Sequence, residues 1–257
     1  MIIDFYTFQG TGNDFILIDD REELFDIDDS LLIQSLCERR FGIGADGLIL
    51  LRNHKTSIFE MIFFNSTGER STFCGNGGRC ILAFAHYLEL FKKECEFMAY
   101  DGIHKGSIDQ GIVSMKMADV EEVNVRENSI VLDTGSPHLV KIVENVTTVN
   151  VLNTGRRLRF SKEFGNYGIN VNFVDLLDGV SIRTYERGDE MESLSCGTGS
   201  VATAIALYEI GKLEETNLRI KTSGGDLMVS FQHDGTKYTN IWLSGEASMV
   251  YSGEFEC

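Results

Sequence analysis

Cys74-Gly75-Asn76-Gly77-Gly78 and Cys196-Gly197-Thr198-Gly199-Ser200 are two copies of one pattern, Cys-Gly-x-Gly followed by a small residue. Each copy leads into an apolar stretch with helical spacing. Other blocks recur in the same order around them. Thr11-Gly12-Asn13-Asp14-Phe15 lies over Thr134-Gly135-Ser136-Pro137-His138, and Phe41-Gly42-Ile43-Gly44 over Phe164-Gly165. Ile62-Phe63-Phe64-Asn65 lies over Thr184-Tyr185-Glu186-Arg187, and Asp101-Gly102 over Gly224-Gly225. Repetition of this kind reads as a tandem duplication of one folding unit. The predicted boundaries are 1–118 for the first domain, completed by 247–257, and 119–246 for the second.

Periodicity predicts strands at 2–8 and 15–19 around the Gly10–Asp14 turn, then a helix over about 31–40 capped by Asp29-Ser30. Strands follow near 48–51 and 58–64. Ile81, Leu82, Phe84, Ala85, Leu88 and Leu90 predict a buried helix over about 78–90. Strands at 96–100, 103–108 and 111–117 close the first copy. The second copy predicts strands near 129–133, 138–143, 156–160, 169–176 and 180–186, a helix over 198–210, and strands near 217–222, 226–232 and 238–243. The fold class is therefore α+β, with two pseudo-symmetric domains, each a curved, mostly antiparallel sheet or barrel around a central helix. Gly42-Ile43-Gly44-Ala45-Asp46-Gly47 matches G-x-G-x-x-G literally. A helix precedes it and a strand follows, the reverse of a dinucleotide-binding turn.

The 257 residues carry 39 acidic and 23 basic side chains, a net charge of −16. Such a surface repels phosphate backbones and anionic membranes, so no nucleic-acid or membrane partner is expected. The one basic cluster, Arg156-Arg157-Leu158-Arg159, reads as a solvated strand or loop edge. Met1-Ile2-Ile3-Asp4-Phe5 has no secretory pattern, and a soluble, cytoplasmic protein is expected. On that basis the sequons at Asn65 and Asn145 carry no meaning. Of the six cysteines, Cys37, Cys80 and Cys95 sit in apolar or helical contexts and read as packing residues. No Cys-x-x-Cys occurs and the five histidines stand singly, so no metal site is expected.

Cys74 and Cys196 are different. A cysteine immediately before a helix faces the unpaired N–H groups of the first turn and the positive end of the helix dipole, which favour thiolate. The glycines let a ligand approach those N–H groups closely enough to seat an anion. Two such loops facing one substrate carbon suit racemisation: one thiolate removes the α-proton, the N–H groups hold the charge developing on the carboxylate, and the opposite thiol returns a proton. An amine cofactor is not required.

Gln9 to Phe15, Phe41 to Gly47, Asn65 to Cys80, Gly135-Ser136-Pro137-His138 and Tyr185 to Gly199 together resemble the diaminopimelate epimerases, over about residues 5–250. The resemblance implies that Cys74 and Cys196 are the acid/base pair. It implies that Gly75-Asn76 and Gly197-Thr198 supply N–H groups to the reacting carboxylate. Asn13, Asn65, Asn170, Glu186 and Arg187 match substrate-binding positions, with His138 and Ser136 auxiliary. Glu186 and His138 stand where the family orients the substrate near the sulfurs, and Ser136 replaces the asparagine of many members. The small-molecule substrate would be diaminopimelate, and a homodimer is implied by the resemblance alone. A fork from Arg187 to a carboxylate and an ammonium contact from Glu186 suit a substrate with two amino-acid ends. Two alternatives stay open from the residues: a racemase of proline, hydroxyproline or another amino acid on the same fold, and a thiol-redox or amino-acid-binding protein in which the two cysteines pair.

Overall fold

A computed structural model describes residues 2–71 and 74–256; the sixth cysteine, Cys257, lies outside the described residues. The chain divides into two compact units, Met1–Met115 with Gly245–Cys257, and Lys116–Ser244.

In the first unit β1 (Ile2–Gly10) and β2 (Asn13–Asp19) form a hairpin. Its turn residues Thr11 and Gly12 both have positive φ, +50° and +86°, the combination that matches the twist of paired strands. Then come α1 (Ser30–Cys37), β3 (Gly47–Arg52), β4 (Glu60–Asn65), α2 (Gly75–Tyr87), β5 (Glu94–Ala99), β6 (Gly102–Asp109) and β7 (Ile112–Lys116). Asp29 caps α1 by accepting the Leu32 N–H at 2.9 Å, and α1 ends at Cys37 rather than near residue 40.

The second unit contains β8 (Val123–Val125), β9 (Ile130–Asp133), β10 (Pro137–Ile142), α3 (Val151–Arg159), β11 (Asn170–Asp175), β12 (Val180–Tyr185), β13 (Glu192–Ser193), α4 (Gly197–Glu209), β14 (Asn217–Thr222), β15 (Gly225–His233) and β16 (Tyr238–Glu246). The chain ends in β17 (Ser248–Glu256), which pairs antiparallel with β1.

One pairing series occurs in both units. Successive neighbours from β1 to β6 run antiparallel, parallel, antiparallel, parallel, antiparallel. The series through β9, β10, β11, β12, β14 and β15 is the same. Each sheet has a helix on both faces, and strand alternation divides the side chains between them. Phe15, Leu17, Ile49 and Leu51 pack with α2, whereas Ile16, Ile18, Leu48 and Leu50 pack with α1. Likewise Val140 and Val174 belong to the α4 core, and Leu139 and Phe173 to the α3 side. Helix α2 touches β1 and β6, which are not neighbours, so the sheet curves around it. The α+β class with a helix inside each sheet is thus observed. Cys37, Cys80 and Cys95 are buried in these cores.

The expected strand at 156–160 is corrected: these residues complete α3, capped by Asn150, which accepts the Asn153 N–H at 3.1 Å. Nor is the basic cluster wholly solvated, because Arg159 is buried. Gly155 lets the helix lie close on β12, since a Cβ there would meet Tyr185 Cβ at 2.4 Å. Among the described residues no helix is long and apolar enough to cross a membrane.

Candidate active site

In the first unit Cys74 is the N-cap of α2, with extended backbone, and no side chain caps the helix there. The helix begins at Gly75, three residues before the sequence expectation, so its first-turn N–H groups adjoin the cysteine directly. Cys74 Sγ lies 3.9 Å from Asn13 Oδ1. The same oxygen accepts from Asn76 Nδ2 at 3.2 Å, while Asn13 Nδ2 donates to Asp46 at 2.5 Å. The Asn13 amide is therefore oriented from both ends. Arg39 forks onto Asp14 at 2.9 and 2.6 Å and reaches Asp46 at 2.6 Å. Burial works to raise the Asp14 carboxyl, but its bonds to Arg39 hold it below its ordinary value.

Asn65 ends β4 opposite Gly47, which pairs on its other side with Phe15, so Asn65 and Asn13 share one end of the sheet. The Asn65 oxygen is committed to its own turn, accepting from Thr67 N–H at 3.1 Å, Thr67 Oγ1 at 2.7 Å and Glu69 N–H at 2.9 Å.

Behind Asn76 lies a residue that the sequence reading did not assign. Arg79 is fully buried, with Nη2 donating to Thr11 Oγ1 at 2.9 Å and Asn76 Oδ1 at 3.0 Å. Its Nε and Nη1 have no hydrogen-bond partner among the described residues. Burial lowers the affinity of this guanidinium for its proton, and the Cys80 and Cys74 sulfurs oppose that. A charged residue inside an apolar helix, three positions after Asn76, was the available signal.

In the second unit Cys196 is the N-cap of α4 and is buried. Burial pushes its thiol well above the ordinary value, the Glu186 carboxylate adds to this, and Thr198 Oγ1 and the Gly199 N–H oppose it. The expectation that the helix start favours thiolate is thus corrected at Cys196, where burial and the Glu186 carboxylate outweigh the helix end and favour the thiol. Thr198 Oγ1 lies 3.5 Å from the sulfur and 3.5 Å from Ser136 Oγ.

Ser136 Oγ also accepts from Asn170 Nδ2 at 3.2 Å and contacts His138 Nε2 at 3.0 Å. The tautomer of His138 follows from its other neighbour. Asn172 Nδ2 donates to the Leu139 carbonyl at 3.2 Å and Asn172 Oδ1 accepts from Thr184 at 2.9 Å, which fixes the amide. The same Nδ2 lies 3.1 Å from His138 Nδ1, which must accept, leaving the proton on Nε2 toward Ser136. Burial, then the charge of Arg187, lowers His138 to about 3. His138 is thus a neutral, enclosed support for Ser136, with both ring nitrogens engaged.

Asn170 is likewise occupied: Nδ2 also donates to the Pro137 carbonyl at 3.1 Å, and Oδ1 accepts the Arg187 N–H at 2.9 Å. The Arg187 guanidinium lies over the Tyr167 ring at 4.5 Å and forms no ion pair among the described residues. The structure thus links Asn13, Cys74 and Asn76 in one unit, and Ser136, His138, Asn170, Glu186, Arg187, Cys196 and Thr198 in the other. Gly75 and Gly197 open the two helices.

The sequence profile described as diaminopimelate epimerase matches residues 5–121 and 130–250. A diaminopimelate epimerase of Flavobacterium psychrophilum is 49% identical over 96% of this chain and 97% of the relative. That of Chlorobaculum tepidum is 39% identical over 95% and 98%. Among solved structures, a phenazine biosynthesis protein of the PhzF family from Bacillus anthracis superposes with a TM-score of 0.80 over the whole of both chains at 13% identity, a likeness of fold. With its profile match covering both units and its close full-length relatives, the chain belongs to the diaminopimelate epimerase family.

Proposed function

We propose that this chain interconverts LL-2,6-diaminopimelate and meso-diaminopimelate, in lysine and peptidoglycan precursor biosynthesis, by acid/base chemistry on two cysteines. The observation that carries the reading is that Cys74 and Cys196 each cap a buried, glycine-started helix in a chain of this family. In one direction a Cys74 thiolate takes the proton from Cα, the bonding pair passes toward the carboxylate, and the Cys196 thiol delivers its proton to the opposite face. The reverse direction exchanges the roles. The raised thiol of Cys196 supports its resting role as proton donor.

N–H groups of Gly75, Asn76, Gly197 and Thr198 stabilise the charge developing on the carboxylate. Arg187, which has no ion-pair partner among the described residues, holds the second carboxylate, and Glu186 holds an ammonium group. Asn13 and Asn65 contribute at the first unit's sheet end. Asn170, Ser136 and His138 act mainly by holding one another and the Arg187 backbone. The reading includes a cytoplasmic protein, a homodimer, domain limits at 1–118 with 247–257 and 119–246, and chemistry without an added cofactor.

The test is proton NMR of LL-diaminopimelate with reduced protein. Appearance of the meso isomer is expected. Turnover of proline or hydroxyproline instead would transfer the reading to another amino-acid racemase.

A further inference from the structure

The loop carrying Glu186 and Arg187 is tied to the far end of α3 by an ion pair between buried Arg159 and half-buried Glu190. Glu190 has φ +54°, a left-handed conformation uncommon for a side-chain-bearing residue, so its partners must hold it there. Its Oε1 accepts from Arg159 Nε at 3.0 Å and from the Gly188 N–H at 3.3 Å, with Arg159 Nη2 also 3.0 Å away. Its Oε2 accepts from Tyr185 OH at 3.1 Å. The backbone closes around the same point: Glu190 N–H donates to the Glu186 carbonyl at 3.0 Å, and Glu186 N–H to the Met191 carbonyl at 2.9 Å.

Arg159 also reaches the segment that carries Tyr167. Its guanidinium carbon lies 4.5 Å from the centre of the Phe160 ring, and it fills the space that Gly168 leaves: a Cβ on Gly168 would meet Arg159 Nη1 at 1.6 Å and Cζ at 2.1 Å. Gly168 has φ +68° and follows Tyr167, whose ring lies under the Arg187 guanidinium and whose carbonyl is 3.5 Å from Arg187 Nη1. One buried arginine therefore contacts both the segment beneath Arg187 and the loop from which Arg187 projects.

We propose that Arg159 and Glu190 form a positioning pair that presets the Arg187 guanidinium for the second carboxylate of the substrate. This rests on the reading of Arg187 as a carboxylate holder. A long flexible side chain loses rotamer freedom when it grips a ligand, and prior fixation removes part of that loss. Because Arg187 acts away from the reacting carbon, the pair affects substrate binding and leaves proton transfer alone.

The test uses the full-length Arg159→Lys and Glu190→Gln variants. KM and kcat for LL-diaminopimelate are measured, with amide hydrogen exchange of the peptide covering 186–195 and thermal unfolding. Expected is a KM raised about tenfold with kcat within about twofold, the signature of lost uniform binding, together with faster exchange in the loop and unchanged exchange in α4. Wild-type KM and wild-type loop exchange in folded variants would overturn the proposal. So would a lowered melting temperature with KM unchanged, since that marks a purely structural pair. Should the wild-type protein not turn over diaminopimelate, the functional reading fails, and loop exchange still decides: unchanged exchange overturns the anchoring and faster exchange sustains it.

Discussion

Gly199→Ala is expected to destabilise the second unit although alanine is the better helix former. Gly199 lies in the first turn of α4 with ordinary helical backbone, where propensity alone favours alanine by up to about 1 kcal/mol. The added Cβ, however, would stand 2.4 Å from Asn172 Oδ1, about 1 Å inside ordinary contact. Asn172 is fully buried and has nowhere to retreat without breaking its bonds to Thr184, His138 and Leu139. Overpacking of this kind costs about 1–3 kcal/mol, and an unpaired buried amide about 1–3 kcal/mol more. After the helix gain is subtracted, a net loss of about 1–5 kcal/mol is expected. The assay is urea unfolding followed by the fluorescence of Trp242, the one tryptophan, which lies in β16 and reports the second unit. In an Asn172→Ala background the clash disappears, and Gly199→Ala should then cost less than about 1 kcal/mol. An equal cost in both backgrounds would refute the packing argument.

Other outcomes follow from the charged groups. Glu186→Gln should lower the pH at which iodoacetamide alkylates Cys196, because the carboxylate is one cause of the raised thiol; an unmoved profile would show that burial alone is responsible. Arg79→Met should destabilise by about 1–3 kcal/mol, because it removes the donor to the buried oxygens of Asn76 and Thr11, and should slow alkylation of Cys74; slowing of Cys196 to the same degree would contradict this. His138 binds its proton only near pH 3 when folded and near 6.5 when unfolded, so the unfolded chain holds more protons between these values. Stability should therefore fall as pH drops through that window, by up to about 1.4 kcal/mol per pH unit. In His138→Gln, unfolding measured at pH 6.5 and 4.5 should show a shallower dependence, and an identical slope would count against the assignment.

The cysteine loops were legible because their chemistry is written in consecutive residues: a thiol, then glycines at the positions where a ligand meets backbone. The start of α2 was placed late because its first turn, Gly75-Asn76-Gly77-Gly78, lacks the apolar period that begins at Cys80 and Ile81. Helix α3 was missed because Gly155 and three arginines obscure its pattern, although Asn150 marks its start. The glycine that weakened the helix signal is the residue that lets α3 approach Tyr185. Strand order is set by contacts distant in sequence, so the parallel pairings of β2 with β3 and β10 with β11 had no local signal. The same applies to Asp46 and Asn172, whose partners come from other elements. His138 was noticed through its motif, but its enclosure and tautomer required the positions of Asn172 and Ser136.

The central claim is that two thiols, each at the start of a buried helix, act on opposite faces of one carbon. Its most direct test is the early phase of epimerisation of LL-diaminopimelate in deuterium oxide with reduced wild-type protein, resolved by NMR and mass. The account predicts that newly formed meso-diaminopimelate carries solvent deuterium at the inverted carbon while the remaining LL substrate keeps its proton. Deuterium entering unreacted LL substrate as fast as it enters product would indicate a single exchanging base and contradict the account.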